Sequence, residues 1–390
     1  MTTLLLLVLA GDVYVDPLKG DDATGAPFRS VAKALAAMKE GDTLHLAKGL
    51  YRESIVVERG GITIDGHGAT LTGLEPLDKA AFAPHAPGVF KVRLPAYAKA
   101  APRAVLDGET LMGESVLEEI HEGDFVWRRD ELFVALPEGK TWEKATLALR
   151  TRRDGLVVKG VSNVVVRDLI SDQWEGDAFR VEGRAEGVRF VNCEGRYAVG
   201  GESRGLHVKD GATVAAAGCR FSRNGMGAHA IHRSRTSLTA CVFEDNLNVG
   251  ARVNGAEHAF EDCVFRGNGA ADLMAVSLSP DSSNGGGPSN VRATRCLFAG
   301  GKGPGLVVQL GDHGGEAVAR ESVFAKGVAV KLRGGTYLGD FNLFGGKFET
   351  EEESLDLAAW RTSTKADAAS EAGPVAPSGW KLGGRDIGPR

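Results

Sequence analysis

The chain reads as all-β, a single-stranded parallel β-helix solenoid with an N-terminal capping helix and a β-rich insertion. Three observations lead there. The 390 residues contain 53 glycines but only 14 prolines, so glycine runs at about twice its usual share of roughly 7%. The five cysteines, Cys193, Cys219, Cys241, Cys263 and Cys296, are separated by 26, 22, 22 and 33 residues. Further columns align on them: Phe221, Phe243, Phe265 and Phe298 two residues later, and Asn224, Asn246 and Asn268 five residues later. The pattern runs on with the cysteine replaced at Ser322-x-Phe324 and Asn342-x-Phe344, and backward where Val164, Val166 and Leu169 match Val188, Phe190 and Cys193. Within each repeat apolar residues alternate over short Val- and Phe-rich stretches between glycine or asparagine turns, which is strand and not helix periodicity. Stacking such units buries a continuous core that no single repeat could bury. Equivalent cysteines then form an internal column, equivalent asparagines bond backbone groups along the turns, and many glycines sit at corners. Cysteines used for metal or redox chemistry are the alternative, disfavoured because no pair has the close spacing such motifs need.

The elements follow in order. Residues 1–10 end an apolar run in small residues and read as a secretion signal, although no Lys or Arg precedes the run; the alternative is that residues 4–15 are simply the first strand. Residues 11–74 hold the N-terminal cap and first turns, with Phe28, Val31, Leu35 and Met38 on one face of a helix that closes the open strand edges. Residues 75–150 break the repeat and contain the hairpin DFVWRRDELFVAL, turning near Arg129 and Asp130. Residues 151–346 are the repeats. Residues 347–390 are the C-terminal cap and tail, with Leu355 and Trp360 on a second short amphipathic segment.

Composition removes several classes. Lys plus Arg total 46 against 51 Asp plus Glu, a net charge of -5, so no basic footprint for nucleic acid is expected. No apolar stretch approaches the roughly 20 residues of a membrane helix, and no GxxxxGK[ST] phosphate loop is present. A monomer outside a membrane is expected.

The stretch VYVDPLKGDDATGAPFRSVAKALAAMKEGDTLHLAKGLYRESIVV, with its strand, capping helix and GDT-strand-GxYRE unit, resembles the opening of secreted pectate-lyase-like right-handed parallel β-helix proteins. SLDLAAWRTSTKADAAS is similar to a closing segment of the same group. The resemblance implies a right-handed coil and a secreted, periplasmic or cell-surface location. It also implies activity on acidic polysaccharides, with alginate lyases and chondroitinase B as the comparison for the opening motif. The same fold serves hydrolases, epimerases, tailspikes and adhesins, so it does not choose the reaction.

Candidate site residues come from the strands DAFRVEG, RGLHVKD, GAHAIHR, VGARVNG, LMAVSLS and PGLVVQL. With Val181, Val208, Val253, Val276 and Val308 inward, alternation puts Arg180, Glu182, His207, Lys209, Arg252, Asn254, Ser277 and Gln309 outward; the third strand adds either His229 or His232. With Arg204 and Arg233 this makes a locally basic face that suits a polyanion. Elimination from a uronate needs a base, a carboxylate clamp and a proton donor. Lys209, flanked by Arg252 and His207, is expected as base, Arg252 as clamp, and His207 or His232 as donor, with Tyr197 second. Arg180, Glu182, Asn254, Arg233 and Tyr197 would bind substrate, and Trp174 would either be a sugar platform or be buried. A solvated face without catalysis is the alternative, as is hydrolysis by two of Asp177, Glu182, Glu202 and Asp210. No metal is assigned to the site; calcium on Asp177, Glu182 and Asp210 is a weaker expectation. The loop 277–290 is expected to wall the groove.

Overall fold

The computed structural model describes residues 11–97, 99–200, 203–279, 286–373, 375, 381–382, 385–386 and 389. The expected signal at 1–10, Glu202 and the loop tip 280–285 lie outside the described residues.

Each turn of the solenoid has three strands, seen in one rung as Thr213–Ala217, Arg220–Ser222 and Met226–Ala230. Each strand pairs in parallel with its equivalents one turn away: Thr213 with Arg235, Phe221 with Phe243, His229 with Arg252. Three parallel faces result, and the third runs from Ile55–Val57 to Lys347–Glu349 before an antiparallel final strand.

The interior is built from the repeated columns. All five cysteines are free and buried between the first and second faces; their thiols donate to carbonyls, as Cys263 does to Leu238 at 3.3 Å. The phenylalanine column stacks from Phe243 through Phe265, Phe298 and Phe324 to Phe344 at centroid separations of 4.7, 5.1, 4.5 and 5.0 Å. The asparagine column is a hydrogen-bonded ladder: Asn246 Nδ2 donates to Phe221 O at 3.1 Å and to Asn268 Oδ1 at 2.9 Å. It also accepts from the Asn224 backbone N–H at 3.1 Å. Buried corner groups are thereby satisfied, which a closed coil must arrange at every turn.

Many corners carry glycine as expected, among them Gly183, Gly211, Gly218 and Gly255 at φ 79°, 79°, 64° and 71°. The corner before the cysteine column is left-handed in every repeat, yet its residues include Asn192, Ala240, Asp262, Arg295 and Glu321, all with φ between 51° and 54°. The bend is held because the ladder continues through it, Ala240 N–H bonding Glu261 O at 2.9 Å, offsetting a left-handed cost of roughly 1–2 kcal/mol per residue. Glycine is required instead at Gly205, Gly227 and Gly250, where a Cβ would stand 2.7, 2.8 and 2.9 Å from the amide nitrogens of the asparagine ladder.

The ends are closed by helix α1, Val31–Ala37, and helix α2, Leu357–Thr364. Val31 and Met38 are buried, as are Leu355 and Trp360, with Trp360 stacked on Phe348 at 4.7 Å. Between Leu74 and Arg150 two small sheets form, one containing the expected hairpin with Arg128 opposite Glu131. Buried Arg150 anchors them to the solenoid, donating to Thr110 Oγ at 2.8 Å, to Val199 O at 3.2 Å and to Gln173 Oε1.

Candidate functional site

On the third face, side chains alternate between core and surface. The inward column is Val181, Val208, Ala230, Val253, Ala275 and Val308. Ala275, and not Val276, therefore continues the inward row. Val276 lies opposite Asn254 and Gln309, and Ser277 leaves the outward row to bond Gly314 O at 2.6 Å at the base of the 277–290 loop. The principal outward column is Arg180, His207, His229 and Arg252, continued by Met274 and Val307. This settles the open register in favour of His229. His232 sits one corner further on at φ 56° with its Nδ1 2.6 Å from Asp210 Oδ1, so it is not in the row.

The centre of the column is a carboxylate–imidazole pair. His207 Nδ1 stands 2.8 Å from Asp177 Oδ2, which makes Nδ1 the protonated nitrogen. Its Nε2 is buried without a partner, and the residue is 7% exposed. His229 stacks on it in parallel, 5.6 Å centroid to centroid at 7°. Arg204 Nε donates to His229 Nδ1 at 3.3 Å, so His229 is neutral with its proton on Nε2. Burial first, then the charges of Arg204, His207 and Arg252, push the His229 pKa down to about 2. Backbone register fixes this order, because each ring stands one rung, about 4.8 Å, from the next.

The cations divide into held and free. Arg180 is held by Asp154 at 2.8 Å and Glu182 at 3.3 Å. Lys209 Nζ lies 3.1 Å from Glu182 and 3.6 Å from Asp210. The expected base thus touches two carboxylates, not the cationic pair that was to deprotonate it. Arg252 has no ion pair among the described residues and a buried Nε without a partner. The acids considered for calcium do not gather: Asp177 faces His207 and Arg204, Glu182 faces Arg180 and Lys209, and Asp210 faces His232 and Lys209.

A cleft of about 590 Å³ opens where residues 100–103 of the insertion meet the solenoid, and Asp177 and Arg204 form part of its wall. Arg103, Arg152, Arg153, Asp154 and Glu175 line the rest. Burial raises the Glu175 pKa, opposed by Arg150 and Arg103. Asp154, Glu175 and the arginines at 150, 152 and 153 were not singled out in the sequence; the run RTRRD just before the first repeat was the available signal.

Other expected residues lie elsewhere. Trp174 is fully buried and is no sugar platform. Tyr197 bonds Arg223 and lines a second cleft with Met112 and Leu247. Asn254 is 2% exposed with its Oδ1 unpartnered, and Arg233 is exposed at a corner beyond His232.

Comparison with known proteins bears on this architecture. Residues 154–337 match the family described as right handed beta helix region. A solved structure of XylC with xylose aligns at TM-score 0.54 and 12% identity, over 87% of this chain and 70% of that one. A glycoside hydrolase aligns at 0.45 and 9%, over 92% and 99%, and pectate lyase Pel9A at 0.39 and 11%, over 82% and 76%. No curated protein matches the chain. At such identities the likeness to XylC concerns the fold, and with the matched region and the three parallel faces it shows that the chain folds as a right-handed parallel β-helix.

Proposed function

We propose that this protein is a carbohydrate-active enzyme that cleaves an acidic, uronate-containing polysaccharide by β-elimination at the His207–His229–Arg252 column, which adjoins the cleft between insertion and solenoid through Asp177 and Arg204. The observation that carries the reading is the Asp177–His207 pair with an unpartnered Nε2, placed one rung from neutral His229 and two from Arg252. Asp177 fixes the tautomer that leaves Nε2 free to accept a proton. Arg252 and the cleft arginines hold the uronate carboxylate, and the His229 Nε2–H donates to it as charge develops there. His207 takes the C5 proton, the C4–C5 double bond forms as the C4–O bond breaks, and the imidazolium returns the proton to the leaving oxygen. Lys209 is thereby a substrate-binding or structural cation and not the base. Substrates of this kind place the protein outside the cytoplasm, secreted or on a cell surface, with no metal in the step.

The test is the appearance of unsaturated product from a panel of acidic polysaccharides. Wild type should form it; His207→Ala should lose about 10²-fold or more in kcat, while Lys209→Ala keeps most of the rate. An undiminished His207→Ala variant, or a Lys209→Ala variant as dead as it, removes the assignment. A second reading, hydrolysis, is favoured by Glu175, which burial holds toward its acid form in the same cleft; new reducing ends without unsaturation would select it. Glycan binding without any product would select a non-catalytic binding protein.

A further inference from the structure

Far from that cleft, at the N-terminal end of the first face, two imidazoles meet. The column Tyr14, His45, Asp65 and Arg167 is set by strand register. His67 follows Asp65 and is turned back toward it at φ 47°, its backbone N–H bonding Asp65 Oδ1 at 3.2 Å. The two ring planes lie 18° apart with centroids 5.3 Å apart, and the rings meet nitrogen to nitrogen, His45 Nδ1 3.0 Å from His67 Nε2. Tyr14 stacks on the other side of His45 at 5.0 Å.

The outer nitrogens decide what the inner ones can do. His45 Nε2 is 3.0 Å from Asp12 Oδ1, and His67 Nδ1 is 3.4 Å from Asp65 Oδ1. A carboxylate accepts and never donates when ionised, so His45 carries its proton on Nε2 toward Asp12, while Asp65 Oδ1 already accepts from the His67 backbone N–H. That leaves His45 Nδ1 an acceptor 3.0 Å from His67 Nε2, open to a proton from His67 or to a cation. His45, Asp65 and His67 each offer one ligand atom there, all within 4.8 Å of one another.

We propose that His45 Nδ1 and His67 Nε2 bind a divalent transition-metal ion of the imidazole-preferring class, zinc being the reference case. Zinc–nitrogen bonds of about 2.0–2.1 Å at a tetrahedral angle put the two nitrogens about 3.3 Å apart, a few tenths wider than they stand. Asp12 and Asp65 supply the carboxylate behind each ligating imidazole that fixes its tautomer and raises its basicity. Asp65 is itself oriented by Arg167, 2.6 Å from its Oδ2. His67 is half exposed, so the remaining coordination positions open to water. Calcium and magnesium, which prefer oxygen sets, are excluded by the donors. The ion would tie together the strands Asp12–Val15, Thr43–Leu46 and Thr63–Thr72 at the end of the solenoid.

The experiment is titration calorimetry of the tag-free full chain with zinc chloride, calcium chloride as control, and thermal unfolding with zinc or with chelator. Wild type should bind one zinc saturably and unfold at a higher temperature with it. His67→Asn, which tolerates the positive φ, should lose the site, and Asp12→Asn should weaken it by about 10- to 100-fold. Copper-loaded protein should show two nitrogen ligands by electron paramagnetic resonance. Absence of saturable zinc binding in the wild type, or binding that His67→Asn leaves unchanged, overturns the proposal and leaves a proton between the rings.

Discussion

The neutral state of His229 can be tested through stability against pH. Its pKa, about 2 in the fold, compares with about 6.5 in an unfolded chain. A basic group with a depressed folded pKa contributes stability that is present above the unfolded pKa and is lost as pH falls below it. Between about pH 7.5 and pH 5 the unfolded imidazole takes up a proton that the folded one refuses; about 1.5 pH units at 1.36 kcal/mol each gives about 2 kcal/mol of lost stability. His258, pushed down to about 4 chiefly by burial, acts in the same direction. Asp272, raised by burial to about 6, acts oppositely, gaining about 1 kcal/mol over the same interval. Those two are common to wild type and to His229→Gln, whose side-chain oxygen can still accept from Arg204, so they cancel in the difference. Urea unfolding at both pH values should show the wild type losing about 2 kcal/mol more than the variant. Equal losses would mean that His229 already takes a proton in the fold near neutrality, and its role as a neutral donor would fall with that.

Three further outcomes are expected. Arg252→Ala, which removes the one cation of the column without an ion pair among the described residues, should raise KM about 10- to 100-fold, as for loss of a charge-assisted hydrogen bond of about 1.5–3 kcal/mol; unchanged KM on an acidic oligosaccharide would deny it the carboxylate. Asn246→Ala should cost about 2–4 kcal/mol, since it strands the buried Phe221 carbonyl and the Asn224 N–H, whereas exposed neighbour Leu247→Ala should stay within about 0.5 kcal/mol; denaturant midpoints compare them. Phe265→Ala, opening the stack between Phe243 and Phe298, should cost about 3–5 kcal/mol by the same measurement.

The repeats were legible because every column is a local rule restated each turn. Cys219, Phe221 and Asn224 recur at one spacing, and that spacing alone brings like residues into register in a parallel coil. The register failed at 273–279, where Val276 was placed inward and Ala275 takes that place: a run of apolar residues has no alternation from which to read a face. His229 and His232 were indistinguishable for the same reason, because Ala228, Ala230 and Ile231 give no alternation from which to choose between them. The corner before the cysteine column is not legible from glycine, because the left-handed bend there is held by interturn hydrogen bonds and accepts other residues.

The candidate site was legible as a composition and not as an arrangement. Arg180, His207, Lys209 and Arg252 were recognisable as outward, but alternation reports only direction. Which carboxylate neutralises which cation depends on distances between turns and on an insertion about 70 residues away, so Lys209 appeared activated until Glu182 and Asp210 were found beside it. The sequence by itself determined a stacked β coil with cysteine, phenylalanine and asparagine columns, because that architecture follows from a period. Only the tertiary structure decided that Asp177 meets His207 and that an arginine-lined cleft forms against the insertion, because these contacts join residues with no shared period, and that His45 and His67 face each other, because the left-handed turn at His67 sets that contact.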